Sequence, residues 1–260
     1  MSHFDIDKYA DLKSPLHNFD PRAKLICILI LMISIVLLND LLYLMIGLII
    51  SVLFVLFSKL PILFILKRLR WVALFIFAVL VLLPFSVGTS VIFNFHFLNI
   101  YREGLILAVT IALKAFSVIL LIFPMLATMK FVTFIKTLER LHVPNKLVQI
   151  ITFTYRYIFV LLNELRRTLN SIEARSYKKH RTGFKLRVLG NAIGMLLVRS
   201  YERGERIYQS MLARGYSGRI KTLDKFRMLS KDWAKASVII LIALMIHLIP
   251  YFNIINISVV

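Results

Sequence analysis

The chain contains two short motifs of matching composition, in which alanine and arginine are followed by a small residue and then tyrosine. They read Ala174-Arg175-Ser176-Tyr177 and Ala213-Arg214-Gly215-Tyr216. A guanidinium group is a planar fork that can pair with a carboxylate through two parallel hydrogen bonds. The small neighbours allow a partner to approach closely, and glycine can adopt the left-handed conformation that ends a helix. We therefore expect a protein-docking role for Ala174, Arg175, Ser176, Ala213, Arg214 and Gly215.

Apolar residues at helical spacing precede both motifs. They follow a 3.6-residue period over 147–172 and again over 189–212, and a shorter run covers 131–141 before Pro144 breaks the pattern. The spacing predicts one short and two long amphipathic helices, the long ones about 40–50 Å in length. An arginine near a helix C-terminus also interacts favourably with the helix dipole, so a single motif would mean little. Its repetition at two helix ends favours docking.

Five apolar segments are long enough, or nearly so, to span a membrane: 23–38, 41–57, 71–87, 104–127 and 234–249. They lack the alternation of a barrel strand, so we expect helices. The predicted fold is an all-α membrane protein with about five transmembrane helices plus a cytoplasmic coupling domain of one short and two long amphipathic helices. The expected divisions are 1–127 for the entry segment and four spans, 128–233 for the coupling domain, and 234–260 for the last span and a short external tail.

The net charge is +20, and the distribution of the basic residues determines the expected orientation. Lys and Arg concentrate on the cytoplasmic side of membrane proteins, and here they concentrate in 1–22, 58–70 and 128–233. The opposite side keeps only Arg102. We expect a multi-pass plasma-membrane protein with a cytoplasmic N-terminus and an external C-terminus. The basic helices would attract membrane lipids, and we expect no nucleic-acid partner.

The remaining polar residues do not suggest catalysis. Lys114 lies inside the fourth predicted span, where a lysine costs about 3 kcal/mol, and no span contains Asp or Glu. The six histidines lie far apart in the sequence, which disfavours a metal site. The chain also lacks a glycine-rich phosphate-binding motif. We expect no catalytic residue, no metal and no cofactor.

At family level, the sequence resembles the transmembrane (T) components of energy-coupling factor (ECF) transporters, the CbiQ/EcfT family. Alanine-arginine-glycine motifs at the ends of two coupling helices are typical of that family, and Ser176 replaces glycine in the first motif. Further likeness lies in the stretch from Ser14 to Lys24, in Leu141–Lys146, and in Tyr155-Arg156-Tyr157 followed by Leu161-Leu162-Asn163-Glu164. The segment 4–10 is closer to the cobalt-associated CbiQ branch.

The resemblance implies a non-catalytic subunit of an ATP-driven importer. Its partners would be two ABC ATPase subunits, which hydrolyse ATP, and a substrate-binding membrane S component, for uptake of a vitamin or a transition metal such as cobalt or nickel. Arg175 and Arg214 would each seat in a groove of one ATPase. Lys114 would contact the S component or another helix.

An alternative is an autonomous permease or channel whose basic cytoplasmic helices bind lipid. That function needs ionisable residues along a pathway through the spans, and only Lys114 qualifies. An intramembrane enzyme would need clustered catalytic groups near a span boundary, and none is apparent.

Overall fold

In the computed structural model, residues 9, 10, 12, 14–88, 90–95, 98–174, 182–218 and 228–258 are described. They form eight helices and a two-stranded antiparallel hairpin: α1 Pro21–Leu37, α2 Leu41–Ser58, α3 Ile62–Ser86, β1 Val91–Phe95, β2 Leu98–Tyr101, α4 Arg102–Leu126, α5 Phe131–Arg140, α6 Asn145–Ala174, α7 Thr182–Ala213 and α8 Ser230–Ser258. The helical character expected from the sequence is confirmed. The hairpin between α3 and α4 is an addition that the sequence interpretation did not include.

The chain divides into two compact units, Met1–Thr137 with Lys225–Val260, and Leu138–Asp224. In the first unit, α4 packs against α1, α2 and α3, and α8 packs on α1. The core of this unit is aliphatic, with Ile28, Leu31 and Ile35 of α1 entirely buried. Packing on several sides of α4 explains why apolar residues cover α4 broadly rather than along one narrow stripe.

Local chemistry fixes where α1 begins and how closely α3 approaches α4. The Asp20 carboxylate accepts a hydrogen bond from the Arg22 backbone N–H at 2.9 Å, and Pro21 occupies the first helical position. Asp20 followed by Pro21 is therefore a helix start that the local sequence encodes. At the other end of the bundle, a Cβ on Gly104 would lie 2.5 Å from the carbonyl oxygens of Leu83 and Val87. Only glycine permits that approach.

Three of the described helices, α2, α3 and α4, are long and apolar enough to cross a membrane. The first predicted span corresponds to α1, whose 17 residues extend about 25 Å. Two boundaries differ from the prediction. Helix α3 begins at Ile62 rather than near residue 71, and α8 continues to Ser258, through most of the expected external tail. Basic residues inside α3 and the short apolar segment of α8 obscured these boundaries in the sequence.

The second unit contains α6 and α7, of 30 and 32 residues. Their lengths correspond to about 45 and 48 Å, as the apolar periodicity predicts. The short helix expected before Pro144 is α5, and His142 takes a left-handed φ of 62° in the turn that follows it. The Pro144 carbonyl then accepts from the Leu147 N–H at 2.9 Å and helps to start α6.

Candidate docking site

The C-terminal end of α7 carries the second motif in a well-defined cap. Gly215 has a φ of +80°, the left-handed conformation expected from the sequence. Its N–H donates to the Leu212 carbonyl at 2.9 Å, and the Tyr216 N–H donates to the Met211 carbonyl at 3.0 Å. This pair of hydrogen bonds defines a Schellman motif. The chain therefore ends α7 sharply, and Arg214 is the last residue before the reversal.

Arg214 itself is exposed, as are Ala213 and Gly215. Among the described residues, no carboxylate forms an ion pair with the Arg214 guanidinium. The rigid cap therefore presents a planar cation whose donors can serve an external acceptor. The geometry suits bidentate pairing with a carboxylate of another protein.

Residues after the motif are tied to the start of α6. The Tyr216 hydroxyl donates to the Gln149 side-chain carbonyl in a short hydrogen bond, and the Gln149 amide donates to the Gly218 carbonyl at 2.9 Å. Sequence reasoning did not identify Gln149. Its only signal was an amide side chain within an apolar helical pattern. These two contacts hold the chain beyond Gly215 against α6 and so restrain the direction of the Arg214 tip.

An ion-pair cluster joins the middle of the two helices. The Glu164 carboxylate of α6 forms ion pairs with Arg203 at 2.8 Å and with Arg199 at 3.5 Å, both on α7, and the Glu164 side chain is only 18% exposed. The family resemblance included Glu164, but the sequence did not reveal its partners. Because Gln149 contacts Tyr216 while Glu164 contacts Arg203, α6 and α7 run antiparallel over this length.

The antiparallel arrangement separates the two predicted docking positions. Ala174, the exposed last residue of α6, lies 25 residues beyond Gln149, which is about 37 Å along the helix. The Arg214 tip lies beside Gln149, at the other end of α6. Arg175 and Ser176 of the first motif lie outside the described residues. Ala174 and Ala213 are therefore not brought together into one site.

A cavity of about 360 Å³ lies between α6 and α7. Phe153, Tyr157, Met211 and Tyr216 are among the residues that line it. Gly204 also lines it, and an added Cβ at Gly190, Gly194 or Gly204 would meet no described atom within 4 Å. These three glycines of α7 therefore do not mark a close crossing of the two long helices.

Lys114 has a partner that sequence reasoning missed. Its ammonium donates to the Asn39 side-chain oxygen at 3.2 Å, in the turn between α1 and α2. The turn was visible in the sequence as Asn39-Asp40, but its proximity to Lys114 depends on how α4 packs. The described structure therefore gives this lysine a contact with a neighbouring helical connection.

A second lysine, Lys24, is buried at the opposite end of the bundle and is only 1% exposed. Its ammonium donates to the Thr128 hydroxyl at 2.7 Å and to the Leu16 carbonyl at 3.3 Å. The Thr128 hydroxyl in turn donates to the Pro124 carbonyl at 2.7 Å. Lys24 thus ties the segment before α1 to the turn between α4 and α5, a contact that the sequence did not indicate.

The architecture defines a class: a multi-pass helical membrane protein with a second unit that contains two long helices. The family model described as CbiQ, cobalt transport protein, matches residues 12–223. The chain belongs to the CbiQ family, the transmembrane (T) components of ECF transporters.

Individual relatives agree with this assignment. An uncharacterized protein of Methanocaldococcus jannaschii is 32% identical over 235 residues, covering 88% of this chain and 80% of that protein. The energy-coupling factor transporter transmembrane protein EcfT of Bacillus selenitireducens is 28% identical over 224 residues, with coverages of 82% and 84%. EcfT of Bacillus subtilis is 27% identical over 254 residues, with coverages of 92% and 94%.

Proposed function

We propose that this protein is the coupling subunit of an ECF-type importer, and that Arg214 docks one of two cytosolic ABC ATPases. The observation that carries the proposal is the exposed Arg214 on a Schellman cap that is itself braced against Gln149. Lipid attraction alone would require positive charge but not a rigid, directional tip. A carboxylate groove on a partner protein matches both the charge and the geometry.

The first motif would dock the second ATPase. Ala174 ends α6 and is exposed, so this end of the helix is also accessible to a partner. Arg175 would supply the guanidinium and Ser176 the small neighbour. With docking positions at opposite ends of α6, each ATPase would hold a different end of the helical unit.

Coupling would follow from that separation. When ATP draws the two ATPases together, the helix ends that they hold must move relative to each other. Long helices transmit such a displacement if they do not bend, and the Glu164 ion-pair cluster with Arg199 and Arg203 stiffens the middle of the pair. The displacement would reach the membrane spans and the S component, which binds the substrate.

In this proposal the chain lies in the plasma membrane with its N-terminus and coupling unit in the cytoplasm. Helices α1 and α8 would complete a set of five spans with α2, α3 and α4, leaving the C-terminus outside. Lys114 would act as an inter-helix contact through Asn39, on a surface available to the S component. The transported substrate would be a vitamin or a transition metal, with cobalt or nickel favoured by the CbiQ family match.

Charge reversal tests the docking role. Arg214→Glu should weaken co-purification of the ATPases, because a carboxylate would face the acidic groove, and the double variant with Arg175→Glu should abolish it. Arg166→Glu is the matched control, since Arg166 is also exposed but lies within α6, away from both docking ends. Retention of both ATPases by the double variant would refute the docking role.

A further inference from the structure

The first turns of α3 combine exposed apolar residues with a cluster of cations. Ile62 and Leu63 are 63% and 81% exposed, and Lys67, Arg68 and Arg70 follow on the same continuous helix. Trp71 is 69% exposed at the point where the uncharged part of α3 begins. Apolar residues beside Lys, Arg and Trp are typical of a helix end in the headgroup region of a bilayer.

A cavity of about 330 Å³ adjoins this helix end. Aromatic side chains dominate its wall, and they come from every element that meets there: Tyr9, Phe64, Phe123, Phe131 and Phe134. The Tyr9 and Phe64 rings are 4.7 Å apart, and Phe64 meets Phe123 edge to face at 6.2 Å. The volume falls in the range of small-molecule sites, and the wall is apolar except near Arg68.

Arg68 also lines this cavity. Its guanidinium carbon lies 4.7 Å from the centre of the Phe64 ring, so one face of the cation packs against the ring in a cation–π contact. The side chain is exposed, and the part of the chain described by the structure offers Arg68 no carboxylate. The N–H donors on the edge of the guanidinium remain available, and their fork matches a phosphate group.

We propose that this cavity binds an anionic phospholipid of the inner leaflet. Arg68 would bind the phosphodiester, with Lys67 and Arg70 adding positive charge, and an acyl chain would enter the aromatic cavity. The proposal uses the orientation given under Proposed function, which places this end of α3 at the cytoplasmic surface. A lipid is favoured over a protein because the exposed apolar surface of α3 continues directly from the cationic cluster into the membrane span.

The position of the cavity gives the lipid a mechanical effect. Its wall includes the end of α4, at Leu126 and Ala127, and the start of α5, at Phe131 and Phe134. Through α5 the chain leaves the membrane unit towards α6. A bound acyl chain would therefore stiffen the turn between α4 and α5.

Native mass spectrometry of the full chain tests the proposal, with palmitoyl-oleoyl-phosphatidylglycerol and the corresponding phosphatidylcholine as probes. The native chain should retain phosphatidylglycerol preferentially. Arg68→Ala should lower the affinity for phosphatidylglycerol about fivefold, the effect of one basic residue at an anionic surface. Ala127→Phe, which fills the cavity but keeps the cation, should also reduce retention.

Lys231→Ala is the matched control, because Lys231 is exposed at the start of α8 but does not line the cavity. It should leave phosphatidylglycerol retention unchanged. Equal retention of the two lipids by the native chain would overturn the proposal, as would full retention by Arg68→Ala or by Ala127→Phe. If Arg68→Ala lost ATPase co-purification but kept its lipid retention, Arg68 would serve a protein contact and the lipid proposal would be overturned. Failure of the ATPase-docking proposal would leave these lipid measurements interpretable, since they need no partner subunit.

Discussion

Replacing Gly215 with alanine tests whether the cap directs the docking arginine. Gly215 has a φ of +80°, where an L-residue costs about 1–2 kcal/mol because its Cβ crowds the following carbonyl oxygen. An added Cβ would meet no described atom within 4 Å, so the cost is confined to the backbone. The substitution therefore perturbs the conformation of the cap without a steric clash elsewhere.

The magnitude of the effect follows from that strain. If docking requires the closed cap, a variant whose free form relaxes to an open cap must close it again on binding. The strain of the closed cap then adds directly to the binding free energy. A loss of about 1–2 kcal/mol corresponds to about a 5–30-fold weaker affinity for the ATPase. Gly215→Asn should weaken docking less, because asparagine tolerates the left-handed region better than alanine.

The assay is titration of the purified full chain with the ATPase subunits, followed by thermal unfolding of each variant. Gly190→Ala is the control, because Gly190 lies inside α7 where an added Cβ also meets no described atom. Alanine there should stabilise the helix by about 0.5–1 kcal/mol and leave docking unchanged. Native affinity in Gly215→Ala would refute the idea that the cap directs Arg214.

Three further outcomes are expected. A double-mutant cycle of Glu164→Gln with Arg203→Met, followed by chemical denaturation, should give a coupling energy of about 1 kcal/mol. If the two substitutions changed the free energy of unfolding additively, the ion-pair cluster would not stiffen the helix pair. Lys24→Met should destabilise the chain by about 1–3 kcal/mol and speed hydrogen exchange in residues 14–19, because the Leu16 and Thr128 oxygens lose their donor. Lys231→Met, at an exposed lysine of α8, should have little effect, and equal exchange rates in the two variants would contradict this role of Lys24. Lys114→Met should leave ATPase co-purification unchanged, since Lys114 contacts Asn39 rather than the coupling unit, and loss of the ATPases would contradict that assignment.

Features encoded in local sequence were predictable. The periodic apolar residues of α6 and α7, the break at Pro144, the Asp20 cap and the left-handed Gly215 depend on neighbours within a few residues, and all are present in the structure. The docking role of Arg214 remains a prediction, since its exposure is compatible with docking but does not test it. Arg175 and Ser176 remain predictions on the strength of their motif alone.

Contacts between distant residues were not predictable in the same way. Lys24 meets Thr128, Lys114 meets Asn39, and Gln149 meets Tyr216, and in each pair the partners lie on different elements. Composition shows that a polar residue needs a partner but not which residue supplies it. The start of α3 was misplaced for a related reason: Lys67, Arg68 and Arg70 looked like a loop, although a helix can carry cations at a membrane surface.

The most direct measurement is site-specific photo-crosslinking beside the Arg214 tip. Ser217 is exposed just beyond the cap, so a benzophenone amino acid placed there would report what the tip contacts in the membrane. We predict adducts with an ATPase subunit at position 217, with weaker adducts from the exposed mid-helix position 197. Adducts with lipid alone, in membranes where the ATPases are present and active, would contradict the central claim that the α7 end is a docking point for an ATP-driven partner.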